Sequence, residues 1–298
     1  ILGIDIGTTA IKGAVIGEDG KIYGTKTSEY PLTTLPTGEV EADLQLYINA
    51  FTQSIKGAVE DAKVDVADIK CVGFSSTAET CVFLDKYNEP LCKVIAWMDT
   101  RATKEAEYLT AHFDKKDIIN KVGFDGIYAI HPVSKILAVK NKNPEIFEKT
   151  RMFAQIKDYF IYRLTGEYYT DHSTASDHGF FDITNRCYWN EMLEFTGIKE
   201  EYLPKLVEPG TELGTISREA ALEFGLNPET KINVGAFDQG CGAIGAGNTK
   251  PGIASESTGS ALVTVATIDA LNPDSQGDVP TLCSGIPGKY MYQPYCTG

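Results

Sequence analysis

The sequence has little positive charge for its size. Its 298 residues include 27 Lys and Arg against 41 Asp and Glu, which leaves a formal net charge of −14. Surfaces that bind nucleic acid or anionic membranes depend on an excess of Lys and Arg. We therefore expect neither nucleic acid nor a membrane among the partners of this protein.

The sequence also lacks paired cysteines and long apolar segments. Its seven cysteines include no Cys-x-x-Cys pair and are odd in number, which indicates free thiols in a reducing compartment. No run of about 18 residues is apolar throughout, and the apolar N-terminal run is short and contains Asp5, unlike a signal peptide. These absences predict a cytoplasmic protein.

The patterns that are present predict a packed α/β protein. Hydrophobic residues make up 43% and charged residues 23% of the chain. Alternating apolar residues and glycine turns predict strands over 4–16, and apolar residues four apart predict a long helix over 43–63. Further strands are predicted at 69–75, 81–84, 94–97 and 231–236, and further helices at 101–112, 133–140 and 155–164. Strands followed by helices predict a mixed sheet flanked by helices.

The length of the chain predicts two domains. We place the boundary near 247–251, so that the first domain covers 1–247 and the second begins with 248–298. About fifty residues are too few to bury a core of their own. We therefore expect the second domain to be incomplete.

Two hydroxyl-rich turns follow predicted strands, Gly7-Thr8-Thr9 near the N-terminus and Ser257-Thr258-Gly259-Ser260 in the second segment. Backbone amides in glycine turns and threonine hydroxyls suit a phosphate chain, and Asp5 beside the first turn suits a magnesium ion. A plain hairpin turn is the alternative. Asp5 favours the phosphate interpretation, because an unpaired carboxylate between Ile4 and Ile6 is costly to bury.

Asp238 follows the predicted strand 231–236 and directly precedes a glycine-rich run. A carboxylate fixed at the end of a strand is well placed to act as a general base, although an N-cap for the following helix is the alternative. We expect Asp238 to be ionised at neutral pH, with a pKa near the ordinary value of about 3.9.

Two further patterns point to other classes of site. Gly240 to Gly245 matches Gly-x-Gly-x-x-Gly, which suggests a nicotinamide-dependent dehydrogenase. No acidic residue follows about 20 positions later, so we interpret these glycines as packing positions. The Asp171-His172 and Asp177-His178 pairs suggest metal ligands, but their spacing separates the two histidines on a helix, and we interpret them as surface or turn residues. No Gly-x-x-x-x-Gly-Lys-Ser/Thr loop is present.

Three segments together resemble one known family. Gly3 to Lys12, Asp238 to Gly247 and Ser257 to Ser260, in that order and spacing, are similar to the FGGY family of carbohydrate kinases. Trp97-Met98-Asp99-Thr100-Arg101 and the helix start Pro132-Val133-Ser134-Lys135 agree with this resemblance. It implies an actin/Hsp70/sugar-kinase fold, which has a ribonuclease H-like mixed sheet flanked by helices.

The resemblance implies transfer of the γ-phosphate of ATP, with Mg²⁺, to a hydroxyl group of a small sugar. A ketopentose such as xylulose is the leading acceptor, and gluconate or a polyol is the alternative. An ATPase switch of the actin/Hsp70 type is the alternative outside the sugar kinases. Asp238 is implied as the catalytic base and Asp5 as the carboxylate beside the metal. The implied phosphate contacts are Gly7, Thr8, Thr9, Lys12, Thr258 and Gly259, and the implied substrate contacts are Thr77, Ala78, Glu79, Trp97, Asp99, Asp238 and Gln239.

The sequence departs from the family pattern in the implied sugar pocket. Glycerol kinases have Arg-Glu where this chain has Ala78-Glu79 and an aromatic residue where it has Ile130, while xylulose and gluconate kinases usually have Met-His in the first of these places. The identity of the acceptor therefore stays open. The adenine half of the family's nucleotide site is implied to lie outside these residues, so we expect the isolated 298-residue chain to bind sugar but to be inactive. A homodimer is a candidate assembly.

Overall fold

The structure is a computed structural model that describes residues 1–258, 261–272 and 277–297. The strands, numbered β1 to β20 in chain order, are Leu2–Ile6, Ala10–Ile16, Ile22–Glu29, Thr33–Thr34, Val40–Ala42, Cys71–Ser76, Cys81–Leu84, Val94–Ile95, Met152–Gln155, Tyr169–Asp171, Phe181–Asp182, Cys187–Tyr188, Lys205–Val207, Glu212–Thr215, Lys231–Phe237, Ala254–Thr258, Ala261–Ile268, Thr281–Cys283, Tyr290–Tyr292 and Tyr295–Thr297. The helices, numbered α1 to α10, are Leu44–Ala62, Thr103–His112, Lys115–Val122, Pro132–Lys142, Pro144–Lys149, Ile156–Thr165, His172–Ala175, Asn190–Thr196, Arg218–Phe224 and Asp238–Gly245.

The central sheet has six strands in the order β14-β15-β6-β1-β2-β3. Strands β1, β2 and β3 form an antiparallel meander, whereas β6 pairs in parallel with both β1 and β15. The predicted mixed sheet is therefore confirmed. Because β1, β6 and β15 run in the same direction, their carboxyl ends meet at one edge of the sheet, where ligands of open α/β sheets bind.

Helix α1 covers one face of this sheet, and its sequence explains why. Tyr47, Phe51 and Ile55 recur every four residues and are buried, which places them on the helix stripe that faces the sheet. The ring of Phe51 stacks on that of Phe160 in α6, with 4.0 Å between the centroids. Burial of such a stripe supplies most of the stability of a helix on a sheet.

A second apolar cluster lies under the five-stranded sheet β4-β5-β8-β7-β9 and packs against α4. Leu282 and Met291, from β18 and β19, are fully buried in the same cluster. The amide of Thr281 also donates to the carbonyl of Gly123 at 2.9 Å. Strands β18 and β19 therefore bury apolar side chains against the earlier part of the chain. The proposed domain boundary itself stays a prediction.

Two local predictions differ from the structure. The strand predicted over 94–97 ends at Ile95, because the chain turns there to bring Asp99 onto the amide of Val40. The Asp171-His172 pair, predicted as surface or turn residues, is buried at the junction of β10 and the short helix α7. Asp177 and His178 lie in the turn after α7, as that interpretation allowed, but are buried rather than on the surface. Asp171 is buried because Lys157, Ser173 and Thr174 donate hydrogen bonds to it, which spacing alone does not reveal.

No helix among the described residues combines the length and the apolar character that crossing a lipid bilayer requires.

Candidate active site

A cavity of about 440 Å³ opens at the carboxyl edge of the central sheet. Residues from β1, β6, α10 and β16 line it, among them Asp5, Ser75, Asp238, Gln239, Ser255 and Ser257. The two carboxylates singled out in the sequence therefore face one open space.

Asp5 is held from two sides. Its Oδ1 accepts a hydrogen bond from Ser75 Oγ at 2.9 Å, and Lys12 Nζ lies 3.3 Å from its Oδ2. Ser75 stands opposite Asp5 in the parallel pairing of β1 with β6, which explains the contact. Sequence analysis did not select Ser75, because its position beside Asp5 depends on the order of strands that are distant in the chain.

The turn Gly7-Thr8-Thr9 joins β1 to β2, and the amide of Gly7 donates to the carbonyl of Ala10 at 3.0 Å. Thr8 Oγ1 accepts a hydrogen bond from Trp97 Nε1 at 2.8 Å, and Thr9 and Lys12 are exposed. This turn has hairpin geometry, so the plain-turn alternative describes its backbone. Lys12, on the strand after the turn, nevertheless pairs with Asp5, which lines the cavity.

The second hydroxyl-rich turn is described only in part. Ser257 and Thr258 lie in β16, Ser257 lines the cavity, and Thr258 is exposed and pairs with Leu262 of β17. Gly259 and Ser260 lie outside the described residues. Ser257 and Asp5 thus approach the same cavity from opposite segments of the chain.

Asp238 stands where β15 passes directly into α10. Strand β15 changes register between Asn233 and Ala236. At Gly235 the φ angle is +68°, and a Cβ atom there would lie 1.7 Å from the carbonyl oxygen of Phe74. Only glycine fits this bulge. The amide of Phe237 then donates to Ser173 Oγ at 3.0 Å, so the backbone that carries Asp238 is held in place.

The surroundings of Asp238 favour its protonated form. Burial and the charge of Asp5 raise the pKa of Asp238 to about 7, although hydrogen bonds from Gln239 and the charge of Lys12 act in the opposite direction. The ordinary pKa expected from the sequence is therefore wrong. Its Oδ1 is buried and accepts no hydrogen bond from the described residues. A carboxyl group with this pKa exchanges its proton readily near neutral pH.

The segment after β6 carries Thr77, Ala78 and Glu79, all of them buried. Lys135 Nζ donates to the carbonyl oxygens of Glu79, Ala96 and Trp97, at 2.7, 2.9 and 3.0 Å. This one ammonium group joins two loops that contain implied substrate contacts. Burial raises the pKa of Glu79 to about 8; Lys135 lowers it and Asp238 raises it further.

Asp99 is fully buried, unlike the substrate contact that was expected. Its carboxylate accepts hydrogen bonds from Arg101 and, at 2.6 Å, from the amide of Val40. These bonds engage both oxygens and fix the turn that presents the half-buried Trp97. The side chain of Ala78 is equally inaccessible. Neither residue has a surface available to a substrate, because the protein itself already covers it.

The residues at the cavity are suited to a metal ion that is bound partly by the protein and partly by phosphate groups. Among the described residues, no group of three or more His, Cys, Asp or Glu side chains is arranged to hold a metal ion. Magnesium commonly binds through one or two carboxylates together with phosphate oxygens and water. Asp5 and the unpartnered Oδ1 of Asp238 fit that description.

Comparison with known proteins finds carbohydrate kinases that are similar to this chain. The xylulose kinase of Bacillus subtilis (strain 168) is 30% identical over 281 residues, which cover 94% of this chain and 56% of the relative. The gluconokinase of the same organism is 29% identical over 295 residues, which cover 97% of this chain and 56% of the relative. The crystal structure of gluconate kinase from Lactobacillus acidophilus matches with a TM-score of 0.90 at 27% identity, covering 98% of this chain and 58% of that one.

The chain therefore spans somewhat more than half the length of these relatives. The match to a solved sugar kinase over nearly the whole chain confirms the expected actin/Hsp70/sugar-kinase fold. Residues 1–245 match the family described as "FGGY family of carbohydrate kinases, N-terminal domain". By fold and by sequence, the chain belongs to the FGGY family of carbohydrate kinases.

Proposed function

We propose that the protein containing this chain transfers the γ-phosphate of ATP to a hydroxyl group of a small carbohydrate, with Asp238 as the catalytic base. One observation carries the proposal: Asp238 and Asp5 line the same cavity, at the carboxyl edge of the sheet. The family membership supplies the reaction class. A ketopentose such as xylulose is the leading acceptor, and gluconate and polyols are the alternatives.

The reaction needs a base within reach of the acceptor hydroxyl. Asp238 takes the hydroxyl proton through its carboxylate as the sugar oxygen forms a bond to the γ-phosphorus and the bond to the ADP oxygen breaks. Phosphoryl transfer has a loose transition state, so alignment and charge stabilisation contribute more than the strength of the base. The anchoring of Phe237 by Ser173 supplies part of that alignment.

The opposite side of the cavity is suited to the phosphate chain. Asp5 would hold Mg²⁺, which when bound neutralises charge on the β- and γ-phosphate oxygens. Gly7, Thr8, Thr9 and Lys12 belong to the β1–β2 hairpin, in which Lys12 pairs with Asp5, and Thr258 directly follows Ser257, which lines the cavity from β16. Gly259 belongs to the same proposed group but lies outside the described residues.

The acceptor would occupy the space beside Asp238 and Gln239. Thr77 and Glu79 follow the adjacent strand β6, and Trp97 presents its half-buried ring from the turn fixed by Asp99. An indole ring face packs well on the C–H face of a sugar. We leave Ala78 and Asp99 out of the proposed contacts because both are fully buried.

The test is an ADP-release assay of the full-length protein with ATP, Mg²⁺ and a panel of ketoses, polyols and aldonates. We expect at least one acceptor to raise ADP formation well above the rate without acceptor. Mass spectrometry of the product should show one added phosphate group. An ATP hydrolysis rate that no carbohydrate changes, but that a partner protein stimulates, would instead support an ATPase switch.

A further inference from the structure

A series of buried polar groups ends at the backbone beside Asp238. The amide of Phe237, the last residue of β15, donates to Ser173 Oγ at 3.0 Å. The hydroxyl group of Ser173 in turn donates to Asp171 Oδ1. Asp171 forms an ion pair with Lys157, and both of these side chains are fully buried. The series therefore leads from Lys157 in helix α6 to the residue that precedes Asp238.

Strand β14 stops short of the end of β15 that carries Asp238. It pairs with β15 as far as Asn233, and the loop before it bonds to β15 as far as Gly235. The amide of Phe237 lies beyond these backbone contacts and donates to the hydroxyl group of Ser173. The last residue of β15 is therefore held by a side chain of α7 as well as by neighbouring strands.

The direction of these hydrogen bonds follows from the groups that form them. A hydroxyl group has one proton to donate and lone pairs to accept with, an ionised carboxylate only accepts, and a backbone amide only donates. Ser173 therefore gives its proton to Asp171 and accepts from Phe237. The same carboxylate accepts from the amides of Ser173 at 2.9 Å and Thr174 at 3.3 Å, and so caps α7. Asp171 thus fixes both the helix that carries Ser173 and the orientation of its hydroxyl group.

Lys157 keeps Asp171 in the state that only accepts hydrogen bonds. Its ammonium group bonds to Asp171 Oδ2 and, at 2.6 Å, to Thr174 Oγ1, which itself donates to Asp171 Oδ2 at 2.7 Å. Burial acts to raise the pKa of Asp171, but the charge of Lys157 and hydrogen bonds from Ser173 and Thr174 hold it below its ordinary value. Asp171 is therefore ionised at neutral pH, and both of its oxygens are engaged.

Stability alone does not account for this buried ion pair. The cost of taking two charges out of water is comparable to what their attraction returns, and apolar residues of similar volume often stabilise such a position equally well. Ser176, on the same segment, offers a comparison, because it is equally buried and accepts from the amide of Cys283 in β18 at 3.0 Å. Its proton goes to the backbone carbonyl of His172 at 2.7 Å. The charged pair thus lies behind the serine that holds the strand of Asp238.

We propose that Lys157 and Asp171 are positioning residues for the catalytic base Asp238. The pair orients the hydroxyl group of Ser173, which holds the amide of Phe237. This contact keeps the carboxylate of the next residue in line with the acceptor hydroxyl group. Alignment of this kind matters because a displacement of about 1 Å can cost about a hundredfold in rate. The inference rests on the proposed function, and it adds to it the residues that align the base.

The first experiment compares two serine variants of the full-length protein by ADP release with the best acceptor, well below each thermal midpoint. Ser173→Ala removes the bond to Phe237, and the matched control Ser176→Ala removes the bond of an equally buried serine to β18. We expect kcat of Ser173→Ala to fall about tenfold while KM for the acceptor stays within about threefold, because the aligned base acts in the transition state. Ser176→Ala should keep the kcat and KM of the wild type. If the two variants have the same kcat, the inference is wrong.

The second experiment tests whether the ion pair acts through Ser173. The double variant Lys157→Met/Asp171→Asn removes both charges together, so that neither is left buried and unpaired, and asparagine can still cap α7. Its kcat should fall about fivefold when Ser173 is present, because the acceptor of the Ser173 proton is no longer charged. In the Ser173→Ala background the double variant should lower kcat no further. An unchanged kcat, or the same loss in both backgrounds, would show that the pair does not act through Ser173.

Thr174→Val takes the place of the double variant if that protein does not fold. It removes the hydroxyl group that bonds to both members of the pair and keeps their charges. We expect a loss in kcat of about threefold when Ser173 is present and none in the Ser173→Ala background. A kcat equal to that of the wild type would contradict the role of the pair.

Failures of the two proposals are distinguishable. A wild-type protein that phosphorylates no acceptor contradicts the proposed function and this inference with it. An active wild-type protein whose Ser173→Ala variant keeps the same kcat contradicts this inference alone.

Discussion

The indole Nε1 of Trp97 donates a hydrogen bond to Thr8 Oγ1 at 2.8 Å, although 89 positions separate the two residues. Trp97 belongs to the loop proposed to contact the acceptor, and Thr8 belongs to the turn proposed to contact phosphate. This bond therefore links the two halves of the proposed site.

Trp97→Phe should lower kcat/KM about fivefold, because it removes one hydrogen bond of about 1 kcal/mol while keeping an aromatic face. The measurement is steady-state kinetics with the best acceptor. Trp189→Phe is the control, since the indole nitrogen of Trp189 is buried and has no partner among the described residues. Equal kinetics for Trp97→Phe and the wild type would show that the link between the loops has no role in turnover.

Asp238→Asn should reduce kcat by about a hundredfold to ten-thousandfold, the usual contribution of a general base. The amide keeps the shape of the side chain, so the thermal midpoint should not fall. The rate is measured by ADP release under saturating ATP and acceptor, with Asp158→Asn as the control. A kcat within tenfold of the wild type would remove Asp238 from the role of base.

The pH dependence of kcat/KM should report the raised pKa of Asp238. A base works only when it is deprotonated, so activity should be full above the pKa and should decline as the pH falls below about 7. Glu79, with its pKa raised to about 8, acts on the same region and broadens this decline. If kcat/KM, measured from pH 5 to 9, stayed constant down to pH 5, the raised pKa of Asp238 would be contradicted.

Gly235→Ala should severely destabilise the protein, because the added methyl group would meet the backbone of Phe74 at a positive φ angle. We expect a loss above about 4 kcal/mol, or no soluble protein. Gly210→Ala is the matched control. Its φ angle is +74°, with no atom within 4 Å of the added carbon, so it should lose only about 1 kcal/mol. If both variants lost a similar free energy of unfolding in urea, the bulge at Gly235 would not be sterically restricted.

Asp158→Asn should flatten the pH dependence of stability. Burial raises the folded-state pKa of Asp158 to about 7, above the unfolded value of about 3.9. The folded state binds the proton more tightly, so this stabilisation is complete below about pH 4 and is lost as the pH rises through about 7. Between pH 4 and 8, the free energy of unfolding measured in urea should fall less for the variant than for the wild type, by at least about 1 kcal/mol. If the free energy of unfolding changed equally with pH in the variant and in the wild type, the prediction would be wrong.

Local sequence predicted the elements of this protein well, where periodicity or a turn residue decides the structure. The four-residue spacing of Tyr47, Phe51 and Ile55 predicted α1, and Gly166, with a φ angle of +84°, ends α6 as expected. The strand-end position of Asp238 was also visible in the sequence, because a strand directly preceded a glycine-rich helix. The site roles, the domain boundary and the homodimer remain predictions.

The tertiary structure decided which of these residues lie next to one another, and it decided the pKa of their carboxyl groups. Ser75 lies beside Asp5, and Lys135 joins two loops, only because segments distant in the chain pack side by side. The raised pKa of Asp238 has the same origin, since desolvation and neighbouring charge are properties of the assembled site. The sequence by itself determined the family, the strands and the chemistry available. The order of the strands and the burial of the side chains decided how the site residues are arranged, because strand order and burial depend on contacts between distant parts of the chain.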